Sequence, residues 1–468
     1  MPIDWIIAFF RSSYDELYLA TLFVAMFLFL SGLDDLFIDI YYWFHHFFAR
    51  KKFNKYRDAN PERLNQVPEK PTAIFIPAWQ EFDVIDRMLT HALTTIQYKN
   101  YDVFVGVYPN DPETIRQVES VSKQYPNVHA VIGERPGPTT KADNLNQIHQ
   151  GMLQWENKTG IRYDIIVMHD AEDVIHPLSL KIDNVFIPEY DMVQMPVYPL
   201  HTSHAHLVHW TYSDEFAEHH TKDVLVRQYF SGFVPSAGVG TAFNRWIVEF
   251  IGTSYARNIF RAKSLTEDYD LALRLALGKA NLLFAYRPFG IDCGTRGYFP
   301  HTMRASIRQK SRWIMGICLQ AWKTIGWKGD ARLRFILFRD RKAIISNAIN
   351  FGAYIVVLYL MAYEAIRFGF EAYQQLPPIV AKGTILWNLV VIDSLIMLWR
   401  IFHRFISVRR VYGWWPGVLS IFRLPISNVI NFTATGRALF HFFRAMLRKK
   451  DLQWEKTAHT FPKNVHQH

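Results

Sequence analysis

Residues 17–33, LYLATLFVAMFLFLSGL, hold no charged side chain, and an apolar run of about that length is read first as a membrane helix. The flanks decide between anchor and signal peptide. No cluster of Lys and Arg precedes the run and no Ala-x-Ala cleavage site follows it, so it reads as an anchor. A second uncharged run covers 343–363. A third, 383–399, is interrupted only by Asp393, which must face protein or water if this helix crosses lipid.

The charged flanks give an expected orientation. Arg50, Lys51, Lys52, Lys55 and Arg57 follow the first run, Arg339, Arg341 and Lys342 precede the second, and Arg400, Arg404, Arg409 and Arg410 follow the third. Between the second and third stand only Arg367 and Lys382, offset by Glu364 and Glu371. The positive-inside rule therefore places the long middle region in the cytoplasm and the 367–382 loop outside. The formal net charge of +10 fits the same picture, with acidic phospholipid or a phosphorylated substrate as partner. Nucleic acid is not expected as a partner, because no recognition helix or glycine-aromatic signature stands out. Cys293 and Cys318 are the only cysteines, which argues against a disulfide framework and a Cys-type zinc site and fits a reducing compartment.

Between the first and second apolar runs, strand and helix patterns alternate. TAIFIPAW (72–79), YDVFVGVYP (101–109), VHAVIG, YDIIVMHD (163–170) and YDMVQMPVYP (190–199) read as strands. Helical patterns lie near EFDVIDRMLTHAL, ETIRQVESVSKQY, TTKADNLNQIHQGMLQW and PLSLKIDNVF, the third opening on a capping-box pair, Thr140 and Asp143. This alternation predicts an α/β fold, a doubly wound, mostly parallel sheet with helices on both faces.

Such sheets bind ligands at the carboxyl ends of their strands. Glu81 follows the first strand, Asp111 the second, and Asp170, Glu172 and Asp173 crowd the end of the fourth. Like charges that close need a counter-charge, and a hard cation, Mg²⁺ or Mn²⁺, held by carboxylates and substrate phosphates supplies one. Strand-end acids also serve as turn formers and helix caps, and for Asp111, followed by Pro112, that alternative has equal weight.

Downstream, SLTEDYDLALRL (264–275) and IRQKSRWIMG (307–316) stand out. On a helix Gln309, Arg312 and Trp313 share one face, which suits a site or an amphipathic helix at a membrane. The ordered set PAWQE, ND, an Asp-x-acid pair, TED and Gln-x-x-Arg-Trp, followed by apolar spans, resembles the inverting membrane-bound family 2 glycosyltransferases, which include cellulose and hyaluronan synthases. The resemblance covers roughly residues 70–325 and the span pattern. Within the family, SGLDDLFIDI, YPNDP, HDAEDVI, VPSAGVG and SLTEDYD resemble inner-membrane members associated with phage adsorption and exopolysaccharide production.

The resemblance implies a GT-A fold and carries roles over position by position. Pro77, Ala78, Glu81 and Asp111 would hold the nucleotide, with uridine the expected base, and Lys141 the phosphates. Asp170 and Glu172 match the Asp-x-Asp motif that holds the metal and the sugar-diphosphate, with Glu in place of the second Asp. Asp268 corresponds to the catalytic base. Glu267, Gln309, Arg312 and Trp313 would form the diphosphate and acceptor platform. Thr266 could instead cap a helix whose dipole the acids complement, and Gly238 and Gly240 either admit substrate or only make a turn.

The expected organisation is a membrane helix and basic linker (1–60), a cytoplasmic GT-A transferase domain (61–325), two membrane helices (326–410) and interfacial helices with a tail (411–468). The expected activity is transfer of a sugar, for which the narrower resemblance suggests an N-acetylhexosamine, from a UDP-sugar to a growing exopolysaccharide. Membrane lipids and an outer-membrane or periplasmic export partner go with it, in the inner membrane of a bacterium. A polyprenyl-phosphate acceptor is the second enzyme reading, and a non-catalytic membrane scaffold or phage-receptor component the third. Similar proteins can carry a C-terminal domain linked to cyclic-di-GMP sensing. With the sequence ending at His468, control of that kind is not expected here. The histidines of HTSHAHLVHWTYSDEFAEHH fit no familiar zinc spacing, and an interfacial helix accounts for Trp210, Tyr212 and Phe216.

Overall fold

The computed structural model describes residues 4–49, 56–254, 258–369, 376–448 and 461. The expected flanking charges Arg50, Lys51, Lys52, Lys55 and Glu371 lie outside the described residues.

The first strand, β1 (Thr72–Pro77), is buried at every residue up to Ile76, as a strand covered on both faces requires. It lies between β2 (Tyr101–Val107) and β4 (Ile165–Met168) and parallel to both, with Thr72 opposite Tyr101 on one side and Ile165 on the other. Beyond β2 lies β3 (Val128–Ile132), also parallel. The winding therefore runs outward through β2 and β3 and returns to the other side of β1 at β4. That reversal opens a crevice at the carboxyl ends of β1 and β4.

The far half of the sheet departs from the sequence reading. YDMVQMPVYP forms two strands, β5 (Met192–Gln194) in the main sheet and β6 (Val197–Pro199) in a small second one, with Pro196, which cannot donate a ladder hydrogen bond, at the break. The small sheet is completed by β9 (Thr295–Gly297), parallel to β6. Between β4 and β5 runs β7 (Thr241–Asn244), antiparallel to both, and β8 (Leu282–Phe284) closes the edge beside β5. The order is β3-β2-β1-β4-β7-β5-β8.

The helices that matter below are α1 (Tyr14–Phe48), α2 (Pro112–Ser122), α3 (Lys141–Thr159), α4 (Leu207–Glu218), α5 (Glu267–Leu277), α6 (Met303–Trp313), α7 (Ala331–Gly369), α8 (Ile385–Tyr412) and α9 (Trp414–Leu447). Among the described residues α1, α7 and α8 are long and apolar enough to cross a membrane. Helix α1 packs against both of the others. It runs well past its apolar run and carries Asp34, Asp35 and Asp39 there. Asp34 pairs with Arg339 and Lys342 of α7, Asp35 with Arg400 of α8, and Asp39 with Lys222, which follows α4. These pairs tie the long helices to one another and to the sheet unit.

The tail expected as separate interfacial helices is one continuous helix, α9, despite Pro425 within it. It packs along α4, α6, α7 and α8. Helix α4 likewise differs from the exposed interfacial helix expected of it. Trp210 and Tyr212 are fully buried: Tyr412 of α8 and Arg423 of α9 cover Trp210, and Ser306 and Trp313 of α6 meet Tyr212.

Candidate active site

The crevice edge beyond β1 and β2 is built from backbone. Pro77 ends β1 opposite Gly106, and the Ala78 N–H donates to the Gly106 carbonyl at 2.8 Å. Asp111 caps α2, accepting from the Thr114 N–H at 3.4 Å and from the Gln80 N–H at 2.5 Å. The capping alternative is thus realised, and the same carboxylate pins the loop after β1. Glu81 is buried, and its N–H donates to Thr114 Oγ1 at 3.0 Å. Sequence reasoning passed over Trp79 and Tyr108, whose rings meet edge to face at 5.1 Å beside these acids. A Cβ on Gly137 would stand 2.7 Å from Trp79, so Gly137 is what lets the following loop close over the ring pair. The aromatic residues in PAWQE and YPND were the available signal.

At the end of β4 the acids separate. Asp173 turns inward, where Oδ2 lies 3.0 Å from His169 Nδ1 and accepts from the Asp170 N–H at 3.0 Å. Burial pushes its carboxyl up, with His169 opposing. The expectation that the three carboxylates face one cation is therefore corrected for Asp173, which braces the loop. Asp170 remains partly exposed and pairs with Lys141 Nζ at 2.5 Å. Glu172 is half-buried two residues on.

Lys141 opens α3, whose cap Thr140 accepts from the Asp143 N–H at 3.1 Å. The Asp143 carboxylate instead meets Arg135 at 2.9 Å, so half of the expected capping box forms. Lys141 Nζ also lies 3.9 Å from Glu267 Oε1. Burial opposes its charge, but Asp170, Glu267 and Asp268 together hold the ammonium well above its ordinary range.

Glu267 and Asp268 begin α5. Thr266 makes no side-chain cap bond to that helix, so the capping alternative is not realised there. Its Oγ1 lies where a Cβ on Gly316 would be only 2.4 Å away. Burial and the neighbouring Asp268 push Glu267 up to about 7, against Lys141 and Arg312. Burial raises Asp268 too, with Lys141 opposing. Asp268 Oδ1 accepts from the Tyr269 N–H at 2.7 Å. Gly238, at φ +76, brings the backbone so close that a Cβ would sit 2.7 Å from Asp268 Oδ2. Both of Gly's freedoms are used at this turn. Gln194, unnoticed in the sequence, fixes it: Oε1 accepts from the Ala237 N–H at 2.8 Å, and Nε2 donates to the Val239 carbonyl at 2.9 Å.

Helix α6 completes the site. The charge of Arg312 acts on Glu267 and Asp268, and Trp313 packs on Tyr212 and Phe216 at 5.9 and 6.1 Å. Gln309 Oε1, on the same helix, is buried without a hydrogen-bond partner among the described residues. The helix then widens into a π-helical segment, Ile314–Gln320, a form often found at functional sites. Lys141, Asp170, Glu267, Asp268 and Arg312 are thus brought together from four separate stretches of chain.

Among the described residues no three His, Cys, Asp or Glu side chains come together as a metal-binding group. The histidine-rich stretch serves the fold: the His209 ring nitrogens lie 2.8 and 3.1 Å from the Leu200 and Phe299 carbonyls, and His220 Nδ1 lies 2.8 Å from that of Val197.

Residues 68–316 match the family model described as glycosyltransferase-like family 2. The chain belongs to that family. It is 39% identical to the bacteriophage adsorption protein B of Escherichia coli K12 and to the bacteriophage N4 adsorption protein B of E. coli O157:H7, over 98% of this chain. The chain spans 64% of the length of these relatives. A mannosyltransferase from Pyrobaculum calidifontis, PcManGT, solved with GDP-Man and Mn²⁺, superimposes with a TM-score of 0.53 at 15% identity, covering 91% of this chain and 99% of its own. The expected fold stands: a mostly parallel GT-A sheet flanked by long apolar helices.

Proposed function

We propose that this family 2 glycosyltransferase moves a sugar, with inversion, from a UDP-sugar to the hydroxyl of a growing polysaccharide. The supporting observation is the convergence of Asp268, Lys141, Asp170 and Arg312, a carboxylate base candidate among cationic groups suited to a diphosphate. Asp268 accepts the proton of the attacking hydroxyl, and its burial makes it a stronger acceptor than an exposed carboxylate. Lys141 and Arg312 stabilise the charge that builds on the departing diphosphate. Glu81 and Asp111 orient the nucleotide along the neighbouring edge, and Trp313, with Gln309, receives the acceptor sugar.

The donor set at β4 fits a divalent ion. Asp170 and Glu172 offer hard oxygens two positions apart and would hold the ion together with the donor phosphates. Bound there, Mg²⁺ or Mn²⁺ supplies Lewis-acid stabilisation of the leaving diphosphate.

We further propose an inner-membrane protein with residues 71–325 cytoplasmic, in contact with membrane lipids and handing its product to an export partner. The proposed donor is a UDP-N-acetylhexosamine. The experiment is a donor screen on purified protein with Mg²⁺ or Mn²⁺, reading UDP release and product length. A polymer supports the proposal, a single addition to a polyprenyl phosphate points to a lipid-linked acceptor, and no turnover with any donor refutes it in favour of a scaffold.

A further inference from the structure

Lys310 lies between Gln309 and Arg312 in α6, and its side chain reaches α4 and α9. Its side chain is 5% exposed, and its ammonium donates to both Glu215 carboxylate oxygens, each at 2.7 Å, and to Asn431 Oδ1 at 2.9 Å. Glu215 belongs to α4 and Asn431 to α9. Ser427, also on α9, donates to the same carboxylate, and Asn431 Nδ2 reaches it at 3.2 Å. The residue just before Glu215 on α4, the buried Asp214, takes a two-pronged contact from Arg423 of α9, at 2.7 and 2.6 Å. The Lys310 ammonium also stands 4.9 Å over the Tyr212 ring, the ring on which Trp313 packs.

Helix α9 therefore grips α6 from behind with directional, buried contacts. It touches the second motif as well: Ala438 packs in one apolar cluster with Leu265, just before Thr266, and with Met315 and Leu319 of the π-helical segment. Residues three apart on a helix lie about 300° around its axis from one another, so fixing Lys310 fixes the direction in which its neighbours point.

We propose that Lys310 is a positioning residue for sugar transfer, holding the rotation of α6 through Glu215 and Asn431 so that Arg312 and Trp313 face the reacting groups. This makes α9 part of the catalytic machinery, and it rests on the reading of α6 as the diphosphate and acceptor helix. Glu81 and Asp111 stand on the loops after β1 and β2, outside α4, α6 and α9.

Removing Lys310 alone leaves the partly buried Glu215 carboxylate without its ammonium, whereas neutralising both partners spares the fold. The test is the double variant Lys310→Met with Glu215→Gln in the full chain, measured for turnover, donor KM, thermal midpoint and amide exchange. A misplacement of about 1 Å costs on the order of 10²-fold, so the expected result is a kcat fall of tenfold or more. Donor KM should stay within about threefold. Exchange should quicken over 303–313 and not over 72–111. A folded double variant with kcat within twofold of wild type, or with unchanged exchange over 303–313, overturns the proposal. So does a parallel rise in donor KM and loss of thermal midpoint, which marks general loosening. A wild-type chain inactive with every nucleotide sugar refutes the transferase reading itself and the positioning role with it, and is recognised before any variant is compared.

Discussion

Replacing Asp268 with Asn separates a catalyst from a scaffold, and the geometry sets what should follow. Asn keeps an oxygen for the Tyr269 N–H that Oδ1 now accepts at 2.7 Å, and Thr266 rather than Asp268 is the residue at the cap position of α5. The fold should survive. What disappears is the proton acceptor, so transfer should fall by roughly 10²–10⁴-fold, the usual cost of losing a general base. Stability carries a second signature. Glu267 is raised from its ordinary 4.5 to about 7 by burial and by Asp268. An acid whose folded value is raised keeps its proton in the native state while the unfolded chain loses it, so stability falls as pH climbs from about 4.5 to about 7. At ~1.4 kcal/mol per pH unit the whole descent is worth on the order of 3 kcal/mol. Asn at position 268 removes one of the two causes and should make the descent shallower. Thermal midpoints of wild type and variant from pH 5 to 8, with UDP release on the same preparations, provide the assay. A variant retaining more than a tenth of wild-type turnover, or one as steep in pH as the wild type, would refute the reasoning.

Asp170→Asn should abolish Mn²⁺-dependent UDP binding, and calorimetry giving an unchanged affinity in Mn²⁺ would sink the assignment. Gly238→Ala places a Cβ 2.7 Å from Asp268 Oδ2 at φ +76, so about 1–2 kcal/mol of stability should go, and turnover with it; a fully active alanine variant would show that the close approach is idle. A cysteine introduced at Gln374, in the loop expected outside, should react with an impermeant thiol reagent on intact cells, and labelling only after permeabilisation would invert the topology.

The centre of the parallel half, β2, β1 and β4, was legible because these strands are buried on both faces and read as nearly unbroken apolar runs. TAIFIP and IIVM carry that signal without help from their neighbours. β7, β8 and β9 were not legible. They are four, three and three residues long, too short for any periodicity, and β7 follows glycines that read equally well as a turn. The tail misled for another reason. Arg423 and Pro425 look like interruptions until the partner of Arg423 is known, and that partner, Asp214, lies 209 residues away. A charge that ends a helix in solution can anchor one in a crowded junction once its counter-ion is supplied.

The site follows the same division. Strand ends were enough to nominate Glu81, Asp111 and Asp170, and the family resemblance Glu267 and Asp268, but proximity along the chain is a poor guide to which acids share a counter-charge. Asp170 and Asp173 are three residues apart, yet one meets Lys141 and the other His169. Asp170 and Glu267 are 97 positions apart and lie on either side of the same ammonium. Lys141 tempers the mutual repulsion of Asp170, Glu267 and Asp268, and their combined charge in turn holds the buried ammonium above its ordinary range.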